Sequence, residues 1–168
     1  MIALQITDIG HFMNSLLKDG LFDHFLLQEA TVTQAVSYTI DGTVTPDFFD
    51  AEEIEAMNLS GMRFMPFGKI RPICFELMKG KKKPTYFKFV FLLSPKNQQS
   101  TIEKSGSGFH TEDISAMYIN LTYKNNILVC TTGISYKLFS LDKTLEQEWD
   151  RLVTLFLKQN GISHEEAE

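Results

Sequence analysis

From Met117 to Lys124 two kinds of residue alternate without a break. Met117, Ile119, Leu121 and Tyr123 fall on one side, and Tyr118, Asn120, Thr122 and Lys124 on the other. Successive side chains of a strand point to opposite faces, so a period of two requires an extended chain with one half-buried face. Asn125-Asn126 comes next and suits a tight hairpin turn, leading into a second strand at 127–132. Gly133 then leads to a third strand at 134–140. This run cannot stand alone, because a hairpin needs further strands or a helical layer to bury its apolar side.

The rest of the chain supplies both. Residues 2–6 form a short apolar strand. Ile9, Phe12, Met13, Leu16 and Leu17 then follow the i, i+3, i+4, i+7, i+8 spacing of an amphipathic helix, capped by Thr7 or Asp8 and stopped by Gly20. Residues 25–40 are rich in Thr, Val, Tyr and Ile and predict one long strand or a bent pair ending at Asp41-Gly42. The stretch 43–58 is acidic and loop-like, with a short helix near 51–57. A strand is expected at 61–65, then a helix over 67–79 with Phe67, Ile70, Cys74, Leu77 and Met78 on one face. Pro72 is expected in the first turn of that helix, because an interior proline removes a hydrogen bond.

Gly80 to Pro84 reads as a turn. Residues 86–93 read as a strand apolar on both faces except at Lys88, 95–104 as a polar helix, and 105–108 as a flexible loop. Asp142 should cap a last helix carrying Leu145, Trp149, Leu152, Val153 and Phe156 on one stripe, and the acidic tail from Gly161 should fray. The chain of 168 residues is 43% hydrophobic, enough for one core without staples. The expected fold is therefore α+β, a single domain over 1–160 with a mainly antiparallel sheet covered by amphipathic helices, and a frayed tail at 161–168.

Catalytic and metal signatures are missing. There is no Gly-x-Ser-x-Gly elbow, and Asp23-His24 has no identifiable nucleophile to serve. His11, His24, His110 and His164 share no metal-ligand spacing, and the run Asp47–Glu55 lacks the alternating ligands and glycine of a calcium loop. Cys74 and Cys130 lie among apolar neighbours and read as buried, reduced thiols. Glu146 and Asp150 share a helix face turned away from the core stripe, where nothing would raise a carboxyl pKa. Gly106-Ser107-Gly108 follows a helix and lacks a third glycine, so it is no phosphate loop. No cofactor is expected, and nothing in the sequence argues for an enzyme, although the missing motifs do not exclude one. No apolar run approaches the ~18 residues of a membrane span and no secretory leader is read, so a cytoplasmic location is inferred.

Charge is uneven. The net charge is −5, yet Arg63 to Lys104 holds ten Lys or Arg against Glu76 and Glu103, a net of +8, leaving −13 for the remainder. Lys79, Lys81, Lys82 and Lys83 are too costly to bury unpaired and must reach water or an anion. With Lys69 and Arg71 they are the candidate anion- or nucleic-acid-binding residues. The structural alternative is that they solvate a turn and shield the apolar strand behind it. Phe87, Phe89 and Phe91 of that strand read as core, since the glycines of an RNA-recognition strand are missing.

Met1 to Asp8, Phe22 to Leu27, Arg71 to Phe75, Lys79-Gly80-Lys81 and Leu141-Asp142-Lys143 resemble a family of short bacterial proteins of unknown function. The resemblance runs up to about Trp149. It implies a bacterial, cytoplasmic, stand-alone protein and brings no activity. A second resemblance is architectural: strand, amphipathic helix and extended strands recur at 2–40 and 61–132, like the repeat of DNA sliding clamps. That likeness implies helices presenting basic residues to DNA, although the first helix here offers only Lys18.

Three functions are carried forward. The preferred one is a non-enzymatic interaction domain, with the acidic 47–55 loop and the basic 79–83 turn as its surfaces and self-association among its options. The second is a clamp-like nucleic-acid-associated protein, which requires Lys69, Arg71, Lys79 and Lys81–Lys83 to converge on one face. The third is a small-molecule enzyme built from dispersed residues, which requires a deep pocket with convergent polar groups.

Overall fold

The computed structural model describes residues 1–168. The alternating segment is β6 (Ile114–Lys124), and Asn125 and Asn126 turn it into β7 (Ile127–Tyr136). Both asparagines adopt positive φ, 53° and 63°, the backbone of a twist-matched two-residue hairpin. Six further strands complete one antiparallel sheet: β1 (Ala3–Ile6), β2 (Leu26–Thr33), β3 (Ser37–Asp41), β4 (Met65–Pro66), β5 (Tyr86–Leu92) and β8 (His164–Glu166). Their order is β3-β2-β5-β6-β7-β1-β8, with β4 attached to β2. The helices are α1 (Ile9–Leu17), α2 (Ala51–Ala56), α3 (Phe67–Met78), α4 (Pro95–Lys104) and α5 (Thr144–Gln159).

Register separates two faces. Leu4, Cys130, Leu121, Phe89, Ala30 and Ile40 stand opposite one another across six strands. The adjacent rung is Gln5, Val129, Thr122, Lys88, Thr31 and Thr39. The apolar rungs face α1, α3 and α5 in a single core of 29 buried residues. Phenylalanines form its centre. Phe22 stacks on Phe91 at 4.6 Å between centroids, and Phe67 meets Phe91 edge-on at 5.0 Å. Truncating a fully buried phenylalanine such as Phe91 costs about 3–5 kcal/mol. On the opposite, largely uncovered face only Leu26, Phe64 and Leu92 form a small second cluster.

The helix starts follow their chemistry. Asp8 accepts from the His11 N–H at the head of α1, and Ser94 accepts from Asn97 N–H at the head of α4. At α2, Asp50 and Glu53 form a reciprocal capping box at 2.8 and 3.1 Å.

Residues 25–40 fold as β2 and β3, the bent pair of the two forms the sequence left open. Other sequence expectations are corrected. The strand expected at 61–65 shrinks to Met65–Pro66, because Leu59–Met62 closes a turn and Gly61 takes φ 71°. Pro72 sits inside α3, its sixth residue. It is exposed, so its ring is carried on the outward face of the helix, at the expense of the intrahelical bond to the Gly68 carbonyl.

Gly133 does not separate two strands but lies within β7, opposite Tyr118. A Cβ there would come 2.5 Å from the Tyr118 Cε2, so the ring lies over the glycine. Beyond Tyr136 the chain leaves the sheet. Asp142 accepts the Thr144 N–H, yet Lys143 occupies the N-cap position of α5. The tail does not fray, since His164–Glu166 pairs with β1 as an edge strand. Its charged side chains are those a solvent-facing edge carries.

Candidate interaction surface

α1 and α3 lie side by side on the covered face of the sheet. α3 ends when Lys79 leaves the helical conformation and Gly80 takes φ 127°, a backbone that L side chains rarely adopt. The turn then runs through Lys81, Lys82 and Lys83 to Pro84, all but the proline exposed, and enters β5. Between this turn and α1 opens a groove of about 400 Å³. Ile9, Met13 and Leu17 form one wall and Met78 and Pro84 the other. Phe87 and Tyr123 lie at its base, stacked at 4.9 Å and 9°. Lys83 and Asn14 supply the polar rim.

The six basic residues singled out from the sequence are not gathered in one place. Lys79 pairs with Glu76 at 2.5 Å. Lys81, Lys82 and Lys83 form no ion pair. Arg71 is engaged elsewhere. Its Nε and Nη2 donate to Asp23 at 2.8 and 3.2 Å, and its Nη1 donates to the Leu17 and Lys18 carbonyls at 3.3 Å. That fork ties α3 to the end of α1 and to the turn before β2. Lys69 is exposed but lies about 200° from Arg71 around the helix and about 15 Å from Lys79 along it. Only Lys79 and Lys81–Lys83 form a cluster.

The acidic segment is ordered and exposed. Pro46–Phe48 is a 3₁₀ turn and α2 follows it. Phe48 is 81% exposed, while Phe49, Ile70 and Ile73 line a shallow cleft beside it.

The remaining candidates resolve into structural roles. Asp23 belongs to Arg71, and His24 is an exposed turn residue. Glu146 and Asp150 do not stand on an open face. Their side chains are 25% and 20% exposed and both pair with the Met1 amino group, which holds the Glu146 carboxyl below its ordinary range. Asp150 also accepts from the Thr132 hydroxyl. Cys74 and Cys130 are buried and unbridged, and burial pushes each thiol up to about 12. The Tyr136 hydroxyl is buried without a hydrogen-bond partner, and burial followed by the charges of Glu146, Asp142 and Asp150 raises its pKa. No three His, Cys, Asp or Glu side chains converge as metal ligands. No helix is long and apolar enough to cross a membrane.

The largest concavity, about 740 Å³, lies on the uncovered sheet face between Gly61–Phe64 and Thr111–Ala116. It is broad and open. Gln98, its buried amide, uses both ends on backbone, donating to Ile114 O at 3.4 Å and accepting from Met117 N–H at 3.2 Å. Arg63 lies over the Phe64 ring at 5.0 Å.

Sequence alone located the lysine turn from its charge density. It missed the groove, because Met13, Met78, Phe87 and Tyr123 come from four different elements and each reads locally as core. No curated protein and no solved structure gives a match to this chain. Residues 15–165 match the model of DUF5721, a family of unknown function, and the chain belongs to that family.

Proposed function

We propose that this chain is a non-enzymatic interaction domain of the bacterial cytoplasm, holding an acidic protein segment with an aromatic anchor in the groove between α1 and the 79–84 turn. One observation carries the reading: Lys83 lines an apolar groove with an aromatic base, and the unpaired Lys81 and Lys82 precede it in the same exposed turn. Apolar walls favour a ring or branched side chain, and the lysines favour carboxylates and speed encounter. The clamp-like reading is second. It is favoured by the order β1-α1-β2-β3, which recurs as β4-α3-β5-β6 with α4 inserted before β6, and by the pairing of β2 with β5 between the two halves. It lacks a basic α1, and its Arg71 is held by Asp23.

The test is fluorescence anisotropy at ~50 and ~200 mM salt. The probes are a labelled peptide with one phenylalanine among aspartates and glutamates, unrelated in sequence to this chain, and short single- and double-stranded DNA and RNA. Peptide binding that weakens with salt and disappears when Lys81, Lys82 and Lys83 are replaced by Ala supports the reading. Binding of nucleic acid alone puts the clamp-like reading in its place. No binding of either leaves the lysines as solubilising charges and overturns both.

A further inference from the structure

The exposed ring of Phe48 stands in water among carboxylates: Asp47 and Asp50 flank it, and Glu52, Glu53 and Glu55 follow on α2. It therefore combines the two properties that the lysine-rimmed groove selects. Pro46 and the Asp50–Glu53 capping box hold the segment in one shape, so docking requires little further ordering. Segment and groove lie at opposite ends of α3. The segment adjoins Ile70 and Ile73, whereas the groove begins at Met78, about 12 Å further along the helix.

We propose that the occupant of the groove is residues 46–53 of a second copy of this chain. Phe48 enters over the Phe87–Tyr123 pair, and Lys81–Lys83 face Asp47, Asp50 and Glu52. The proposal rests on the groove reading above and names its partner. The other exposed apolar segment, Leu138, Phe139 and Leu141, lies between Lys137 and Lys143 with only Asp142 opposing them, so its charge does not suit a lysine rim. Donor and acceptor patches differ, which makes the contact heterologous. Copies then join head to tail unless two reciprocal contacts close a pair. One aromatic anchor with a charged rim falls below the ~1,000 Å² of a stable interface, so association appears at high protein concentration.

The experiment is sedimentation of the full chain over rising concentration at ~50 and ~200 mM salt. The proposal expects salt-sensitive association, weakened at least ~10-fold by Phe48→Ser and by the triple change Lys81→Glu, Lys82→Glu, Lys83→Glu, and unchanged by Phe139→Ser. All these positions are exposed, so each variant folds. The decisive arm mixes the Phe48→Ser chain with the triple-glutamate chain. Each lacks one surface and stays monomeric alone, and the mixture forms a dimer and nothing larger. A monomeric wild type, or a mixture that stays monomeric, overturns the proposal. Adding the unrelated acidic peptide to a monomeric wild type separates the two failures: binding removes only the second copy as occupant, and no binding removes the groove reading as well.

Discussion

Gly42 is the residue whose loss the fold tolerates least for its size. It follows β3 and passes over an irregularity in β2, where register shifts between Leu27 and Glu29. Its N–H donates to Gln28 O at 3.0 Å, and its carbonyl accepts from Met65 N–H at 2.8 Å. A Cβ here would lie inside the van der Waals shell of the Leu27 carbonyl oxygen and 2.7 Å from its carbon. Ordinary carbon contacts begin near ~3.5 Å, so the backbones must part by about 1 Å. Two backbone hydrogen bonds worth about 1 kcal/mol each are then weakened or lost. With the strain added, Gly42→Ala destabilises by about 3 kcal/mol, or about 6–12 °C in Tm for a chain of this size.

Gly61 is the control. Its φ is +71° with nothing within 4 Å, so Gly61→Ala meets only the left-handed penalty of about 1 kcal/mol. Trp149 reports unfolding directly, being the only tryptophan, 4% exposed and bonded through Nε1 to the Tyr118 carbonyl at 3.2 Å. Urea and thermal unfolding of both variants should give the order wild type, Gly61→Ala, Gly42→Ala. A Gly42→Ala chain as stable as the Gly61→Ala chain refutes the close-approach argument.

Three further outcomes are expected. Arg71→Ala should lose about 2 kcal/mol in urea unfolding and Arg71→Lys should recover only part, since an ammonium cannot bridge Asp23 and two carbonyls together; the triple alanine at 81–83 should stay within about 0.5 kcal/mol. Tyr136→Phe should raise stability by up to about 1 kcal/mol, because it removes a buried hydroxyl that has no partner, and a loss of that size would mean the hydroxyl is bonded.

Both thiols have folded pKa values pushed up to about 12, so the folded chain keeps protons that the unfolded chain releases above ~8.5. Their stabilising contribution is therefore complete below that pH and declines as pH rises toward 12. Wild type should lose stability between pH ~9 and 12 more steeply than Cys74→Ala, Cys130→Ala, and native thiols should resist Ellman's reagent until the chain unfolds. Equal slopes would contradict the burial argument.

Elements with a complete local code were legible before any coordinates. The β6–β7 hairpin carried its period of two and its Asn-Asn turn, α1 its apolar stripe and Asp8 cap, and α5 its long stripe around Trp149. Where a long-range contact decides, the sequence was silent. Gly133 looks like a break because the Tyr118 ring that needs its empty space is fifteen positions away. Pro72 looks like a helix start because its tolerance depends on facing solvent. His164–Glu166 looks like a loose tail because an edge strand pairs through its backbone and shows no apolar pattern. Of the candidate surface, the lysines are a local feature and were visible, whereas the depression beside them is made by four separated segments and was not.

The most direct test of the groove is a titration of uniformly ¹⁵N-labelled chain with the unrelated acidic phenylalanine peptide, followed by amide shift changes. The account predicts that the largest changes fall on Met13, Asn14, Gly80, Lys83 and Phe87, around one concave surface, and fade as salt is added. Changes confined to Gln28, Arg63 and Ser135 on the uncovered sheet face, or no change at all, would contradict it.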